Sequence, residues 1–194
     1  MVGPAADPTT GWVYVNANDT SLVGWVEKKD PKISYSFDAP HTDQPLERAS
    51  VDGKGPFFSF NAPISGKFDD RGRGVGPSAP CYKGPWAKLT AVDANTGEIK
   101  WAVPLGLIEA LPPGKQLMGS AGNAGPTVTA GGLVFAGGTS DKRFRAFDAK
   151  TGATLWEYNA GATVGGNPIS YRGKSGKQYV AINAGGSITA LALP

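Results

Sequence analysis

One histidine and one cysteine limit what chemistry this chain of 194 residues can do. His41 lies in the polar run DAPHTDQP, and no serine or cysteine partner sits in a recognisable motif around it, so a surface histidine is expected rather than a triad base. Cys81 has no second cysteine, which excludes an internal disulfide, and it lacks a Cys-x-x-Cys spacing; a metal site built on His and Cys is excluded by count. The run GKS at 173–175 ends like a phosphate-binding loop, but Pro168 stands where that loop needs its first glycine. GNAGPTVTAGG (122–132) is glycine-rich, yet it reads as turn, strand and turn where a dinucleotide site requires a helix. DDRGRG (69–74) sets two arginines beside two aspartates and reads as a solvated loop. Two other aspartates, Asp93 and Asp148, occur in nearly identical surroundings.

These surroundings are AVDANTGEIKW (91–101) and AFDAKTGATLW (146–156), which share Ala-x-Asp-Ala-x-Thr-Gly-x-x-x-Trp. Asp93 and Asp148, Gly97 and Gly152, and Trp101 and Trp156 are each 55 residues apart. A repeat of this kind dictates architecture before it suggests catalysis. An aspartate opening a turn accepts backbone N–H bonds through its carboxylate, and glycine supplies the positive φ at the bulge position. A tryptophan four residues past the glycine can fill the gap between stacked sheets, where burial is worth roughly 2–3 kcal/mol. Asp93, Gly97, Trp101, Asp148, Gly152 and Trp156 are therefore expected to be structural.

The elements around the second window are short strands. GPTVTA (125–130), LVFA (133–136), FRAFD (144–148) and TLWEY (154–158) follow one another, with Gly131-Gly132 as a two-residue hairpin signal. Four antiparallel strands in so short a span make one propeller blade. The final segment repeats three of them, GGNPISY (165–171), QYVAIN (178–183) and ITALALP (188–194), with no fourth. At the front, DPTTGWVYVNAN (7–18) reads as a first-to-second turn and a second strand, with little chain before it for a first strand. A Gly/Pro-rich insertion of weak periodicity runs over 24–86 and allows a short strand near 32–37; KLTAVD and EIKWAVP then supply the third and fourth strands. The expected fold is an all-β partial propeller of about three blades, the first and last incomplete. It divides into a blade with a long insertion (7–104), a complete blade (122–159) and an incomplete last blade (165–194). The two ends of such an arc would expose apolar faces and strand edges.

Composition agrees with a turn-rich globular fold. Glycine and proline number 28 and 16, and 40% of residues are hydrophobic. A net charge of +3, with no Lys/Arg run, excludes a nucleic-acid footprint. No apolar run approaches the ~18 residues of a membrane span. MVGPAADPTTG shows no basic or apolar region of an export signal. The expectation is a chain that stays inside the cell or an incomplete precursor.

The two windows are similar to the tryptophan-docking motif of the quinoprotein dehydrogenases, eight-bladed propellers that use pyrroloquinoline quinone (PQQ). PWAKLTAVDANTGEIKWAVPLG, TAGGLVFAGGTSDKRFRAFDAKTGATLW and NPISYRGKSGKQYVAINAGG resemble, in that order, the C-terminal blades of glucose-dehydrogenase-like members. DPTTGWVYVNAND resembles the strand opening an earlier blade. The insertion over 26–79 carries the weakest likeness.

The resemblance implies a quinone on the propeller axis with Ca²⁺ bound to it, a catalytic aspartate as general base, and two electrons passed through the quinone to a respiratory acceptor. It implies a sugar or alcohol substrate and a periplasmic location. The metal ligands, the catalytic aspartate and the cationic partner of the quinone belong to blades upstream, and no position here matches them; neither Asp69 nor Asp141 takes such a role. PQQ binding by this chain alone is accordingly not expected. Wall contacts to the quinone are expected from Asn18, after VYVNAN, and Asn123, in SAGNAGP. The expected partners are the remaining blades or further copies of the chain. An alternative is a cofactor-free scaffold of the same repeat, like the outer-membrane assembly lipoproteins, but these share only the docking motif, whereas GKSGKQYV and PWAKLTAVD resemble the dehydrogenases.

Overall fold

The computed structural model describes residues 3–19 and 61–192 in full and the backbone of 25–28 and 46–49. The described residues form strands and turns without a helix, and they fall into two compact units, 1–19 with 84–194, and 20–83. His41 and the short strand allowed near 32–37 lie outside the described residues.

The first unit holds three antiparallel sheets. In the first, β1 (Ala5–Asp7) pairs with β2 (Trp12–Asn18); the 20–83 segment then intervenes in sequence before β7 (Ala87–Asp93) and β8 (Ile99–Pro104) complete the order β1-β2-β7-β8. The second unit supplies the intervening hairpin pairs β3 (Trp25–Lys28) with β4 (Leu46–Ala49) and β5 (Asn61–Pro63) with β6 (Ser78–Pro80). The strand expected to be missing at the front is present. Three residues suffice for it because Asp7 ends β1 at the turn, where Gly11 N–H donates to the Asp7 carbonyl at 2.9 Å. Within the second unit, Asp69 accepts the Arg71 and Arg73 backbone N–H groups at 3.0 and 2.8 Å and pairs with the Arg73 guanidinium at 2.8 Å, all exposed to solvent.

The second sheet is β9 (Thr127–Val128), β10 (Leu133–Ala136), β11 (Arg143–Asp148) and β12 (Thr154–Asn159), paired in sequence order. The third is β13 (Val164–Arg172), β14 (Gln178–Ala184) and β15 (Ser187–Leu191), with no fourth strand among the described residues. The β9–β10 loop corrects the expected two-residue turn. Thr129 N–H donates to Leu133 O at 2.9 Å and Gly132 N–H to Thr129 O at 3.0 Å, which encloses three residues. Only Gly132 takes a positive φ, 80°, so the chain adopts a type I turn closed by a left-handed glycine; the two-residue alternative needs positive φ at both positions.

Alternation along β2 and β7 creates the core. Tyr14, Leu89 and Ala91 share one face and pack with Leu105, Val134, Ala136, Phe147 and Ala149 between the first and second sheets. Phe144, Val164, Val180, Ile182 and Ala184 form the matching layer between the second and third. The innermost strands lie side by side, β1 against β9 and β9 against β13. At the far end Ile169, Tyr171 and Ile188 are exposed.

Trp101 locks the first interface. Its indole N–H donates to Ala149 O at 3.0 Å, where the buried Tyr14 hydroxyl also donates at 3.2 Å. The ring lies on Gly152: a Cβ built there would stand 2.7 Å from it. Trp156, expected to fill the next gap in the same way, does not. It is 41% exposed, and its ring partners among the described residues are Tyr158 and Phe144 of its own sheet. Among the described residues the third sheet has no Asp-x-x-x-Gly turn for it to cover. Trp101→Phe is expected to lower stability by about 1–2 kcal/mol, through the lost hydrogen bond and packing, while Trp156→Phe stays within about 0.5 kcal/mol of the parent. Urea unfolding of the two variants checks this; equal losses would refute the difference between the two sites.

Candidate functional site

Period-two geometry places Tyr14, Asn16 and Asn18 on one face of β2. Each reaches the second sheet. Tyr14 grips Ala149 as described, Asn16 Nδ2–H donates to Ala124 O at 2.9 Å, and Asn18 Nδ2–H donates to Gly122 O at 2.9 Å. Gly122 N–H returns a bond to Asn18 Oδ1 at 3.2 Å, so both ends of that amide are used. From the other side, Asn167 Oδ1 accepts Gly125 N–H at 3.0 Å and Thr127 Oγ1–H donates to Pro168 O at 2.5 Å. Residues 122–127, which lead into β9, are thus clamped between the first and third sheets. Gly125 allows the approach: a Cβ there would fall 2.3 Å from Gly3 O and 2.6 Å from Asn167 Oδ1.

The structure brings the two expected wall residues to one place. Asn18 is bonded to Gly122, the neighbour of Asn123. Their states differ. Both are exposed, but Asn18 spends one N–H and one lone pair of its amide on Gly122, whereas the Asn123 side chain makes no hydrogen bond among the described residues and its main-chain N–H donates to Gly138 O at 3.3 Å. The buried Asn16 Oδ1 has no hydrogen-bond partner. Asn16 and Asn167 were not singled out from the sequence. For Asn16 the signal was available, since it stands two residues before Asn18 on the same strand face; for Asn167 none was, because its partner is 42 residues away.

The aspartates serve the fold. Asp7, Asp93 and Asp148 each open an Asp-x-x-Thr-Gly turn with glycine φ of 72°, 76° and 73°. The Thr9 hydroxyl holds the Asp7 carboxyl below the ordinary range, the Asn95 backbone N–H does so for Asp93, and the Thr151 hydroxyl for Asp148. The sequence windows contained only the last two; the structure shows DPTTG as a third copy of the same turn, placed between first and second strands.

Asp141 is the centre of a buried charge cluster. Its side chain is fully buried and bonds Arg145 Nη2 at 2.5 Å, Thr139 Oγ1 at 2.5 Å and the Leu107 N–H at 2.8 Å. Arg145, 4% exposed, also meets Glu157 at 2.8 Å, and Arg143 bridges Glu157 and Glu109 at 2.9 and 2.7 Å. Burial alone would push the Asp141 carboxyl up; the Arg145 guanidinium, the Thr139 hydroxyl and the Leu107 amide outweigh it and hold it below the ordinary value.

The chemistry of this set is neutral amide and backbone hydrogen bonding. Among the described residues no three His, Cys, Asp or Glu side chains gather as metal ligands. Asp7, Asp93 and Asp148 are engaged in turns, Asp141 with Arg145, Asp69 with Arg73 and Asp19 with Lys88. A Ca²⁺ site needs six to eight converging oxygens. The described residues do not fit that group; of the two wall candidates, Asn123 has an amide wholly open to a ligand and Asn18 one that is half engaged by Gly122.

A family model described as PQQ glucose/ethanol/alcohol dehydrogenase, β-propeller domain, matches residues 1–180. The chain is 40% identical over 115 residues to the quinate/shikimate dehydrogenase (quinone) of Acinetobacter baylyi, covering 56% of this chain and 14% of that protein. Among solved structures it is similar to a europium-containing methanol dehydrogenase, TM-score 0.50 and 27% identity over 93% of this chain and 24% of the other. It also shares the fold of the quinohemoprotein alcohol dehydrogenase of Comamonas testosteroni, TM-score 0.56 and 24% identity over 95% of this chain and 22% of the other. The chain therefore spans a minor part of the length of the proteins it matches.

Proposed function

From the premise that the chain belongs to the β-propeller family of PQQ-dependent glucose, ethanol and alcohol dehydrogenases, we propose that it forms the C-terminal blades of a dehydrogenase that oxidises a sugar or alcohol hydroxyl and passes the electrons to a respiratory acceptor. In this reading the three sheets are blades with spans 7–104, 122–159 and 165–194, and the enzyme works in the periplasm. The Trp101 contact on the Gly152 turn is the docking pair that holds neighbouring blades together. The match to the family model over residues 1–180 is the observation that carries the proposal.

The chain's own share in catalysis is architectural. It supports one sector of the ring wall, and it offers Asn123, with Asn18 bracing the backbone beside it, as hydrogen-bonding groups at the rim of a quinone pocket. In this reading the metal ligands and the proton-accepting base lie in other parts of the enzyme. Self-assembly of several copies is the second reading, and the exposed Ile169, Tyr171 and Ile188 favour it.

Calorimetric titration of the purified chain with PQQ in the presence of Ca²⁺ separates the two. No Ca²⁺-dependent binding is expected from the chain alone. Tight binding near one quinone per closed ring would overturn the view that the site needs other blades and would establish self-assembly.

A further inference from the structure

In the second and third sheets the same turn joins the first two strands, and only one of the two is charged. Between β9 and β10, Thr129 N–H donates to Leu133 O at 2.9 Å and Gly132 N–H to Thr129 O at 3.0 Å. Between β13 and β14, Gly173 N–H donates to Lys177 O at 2.8 Å and Gly176 N–H to Gly173 O at 2.9 Å. Gly132 and Gly176 are both left-handed, φ 80° and 82°. The backbone is therefore the same, but Val128, Ala130 and Leu133 of the one turn are matched by Arg172, Lys174 and Lys177 of the other. The turn closes on apolar residues in the second sheet, so its geometry does not call for the cations in the third.

Nor do neighbours compensate them. Arg172, Lys174 and Lys177 are exposed, and among the described residues none of them makes an ion pair. No Asp or Glu occurs between Glu157 and Pro194. Gln178, which lies opposite Arg172, donates its amide N–H to Ser170 Oγ at 2.7 Å. By contrast Lys88, Lys100, Arg143 and Arg145 are all ion-paired. The charged turn is also braced. A Cβ built at Gly173 would stand 2.7 Å from the Tyr179 ring, and that ring stacks on Tyr171 across the strand pair, with centroids 5.4 Å apart.

We propose that the β13–β14 turn is a docking knob for an acidic surface of another protein, whose Asp and Glu carboxylates meet Arg172, Lys174 and Lys177. Three uncompensated cations in so short a turn steer and orient a surface of opposite charge. Arg172 offers a planar fork to one carboxylate, and the two lysines act as point charges. A braced turn gives up little freedom on docking. An anionic membrane is the poorer partner. Clusters that hold to such lipids carry about four to eight Lys or Arg, and the tip, Lys174-Ser175-Gly176, has no apolar side chain to insert. The inference does not depend on the dehydrogenase reading and assigns the turn no step in that reaction.

The test titrates the full chain with a fluorescent oligo-glutamate peptide, followed by anisotropy and by backbone amide signals. The signals that move most are expected to lie within residues 172–178. Binding should weaken about tenfold between about 0.02 M and about 0.15 M salt. Lys174→Ala with Lys177→Leu copies the second sheet's turn, so the fold should be kept while binding weakens about fivefold or more. Lys174→Arg with Lys177→Arg should bind within about twofold of the parent. Arg172→Gln, a single exposed change, should weaken binding about twofold to threefold. Lys115→Ala with Lys150→Ala removes the same charge from other exposed positions and should leave binding within about twofold. Equal losses in the two double variants that remove lysines, amide shifts centred away from the turn, or no peptide binding at low salt overturns the proposal. So does tighter binding to phosphatidylglycerol vesicles than to the peptide through the same two lysines, which would make the partner a lipid surface.

Discussion

Gly152→Ala should destabilise the chain by about 2–5 kcal/mol, whereas Gly97→Ala, at the same place in the same turn motif, should cost about 1–2 kcal/mol. The two glycines have nearly the same backbone, φ 73° and 76°, so both alanines carry the penalty of a left-handed conformation. What differs is the space beyond. At Gly97 an added methyl meets nothing within 4 Å; at Gly152 it falls 2.7 Å from the Trp101 ring. The ring can move only by giving up its 3.0 Å bond to Ala149 O and its contact with Tyr14. Against a typical total of about 5–15 kcal/mol, the larger loss is a sizeable fraction. Urea titrations with unchanged slope would measure it. Equal midpoints for the two variants would mean that Trp101 does not hold the interface.

Asp141→Ala is expected to cost about 3–5 kcal/mol, because it leaves the Arg145 guanidinium buried with only the half-exposed Glu157 for compensation and strands the Leu107 N–H and the Thr139 hydroxyl. Replacing the pair together, as Asp141→Leu with Arg145→Met, should recover much of that loss, since a buried ion pair contributes little beyond well-packed apolar groups. A thermal melt series on the two variants decides it. If the double change is worse than the single one, the cluster stabilises more than its own desolvation costs. The sign of the pH dependence follows from the depressed carboxyl. Asp141 contributes stability that is complete above the unfolded carboxylate value of 3.8 and is lost as pH falls through its lower folded value. Asp7, Asp93 and Asp148 act in the same direction. Melting temperature should hold from neutral pH down to about 5 and then fall steeply below about 4, and Asp141→Ala should show a shallower acid limb than the parent.

Legibility from sequence followed the range of the interactions. The Asp-Ala-x-Thr-Gly turns could be read because their bonds close within four residues: Asp148 Oδ1 takes the N–H of Lys150 and Thr151. The strands β10, β11 and β14 could be read because alternation and turn residues bound them tightly. β1 was missed because three residues carry no period, and its existence depends on the edge that β2 offers. β9 shrank from six expected residues to two, Thr127–Val128, because Gly125 is held by Asn167 instead of by β10 and Thr129 and Ala130 belong to the turn into β10. The role of Asp141 was invisible, since its partners at 107, 139 and 145 have no shared spacing until the sheets stack.

For the candidate site the division is similar. Asn18 and Asn123 were chosen by their positions at strand ends, and the structure places them one residue apart across a bond to Gly122. That contact engages half of the Asn18 amide and leaves the Asn123 amide wholly open, a distinction that no sequence pattern encodes.

Taken alone, the sequence determined the all-β class, the repeat of 55 residues and the turn chemistry of Asp93 and Asp148, because these arise from local geometry and periodic patterning. It also carried the likeness to quinoprotein dehydrogenases, which depends on the order of motifs and needs no coordinates. Only the tertiary structure decided which tryptophan is seated and which is free. Trp101 and Trp156 share the motif Ala-x-Asp-Ala-x-Thr-Gly-x-x-x-Trp, but one finds Gly152 and Ala149 beneath it while the other faces a sheet of three strands among the described residues. Seating an indole requires a carbonyl and an unhindered glycine from a different sheet, and no stretch of local sequence contains both sides of that contact.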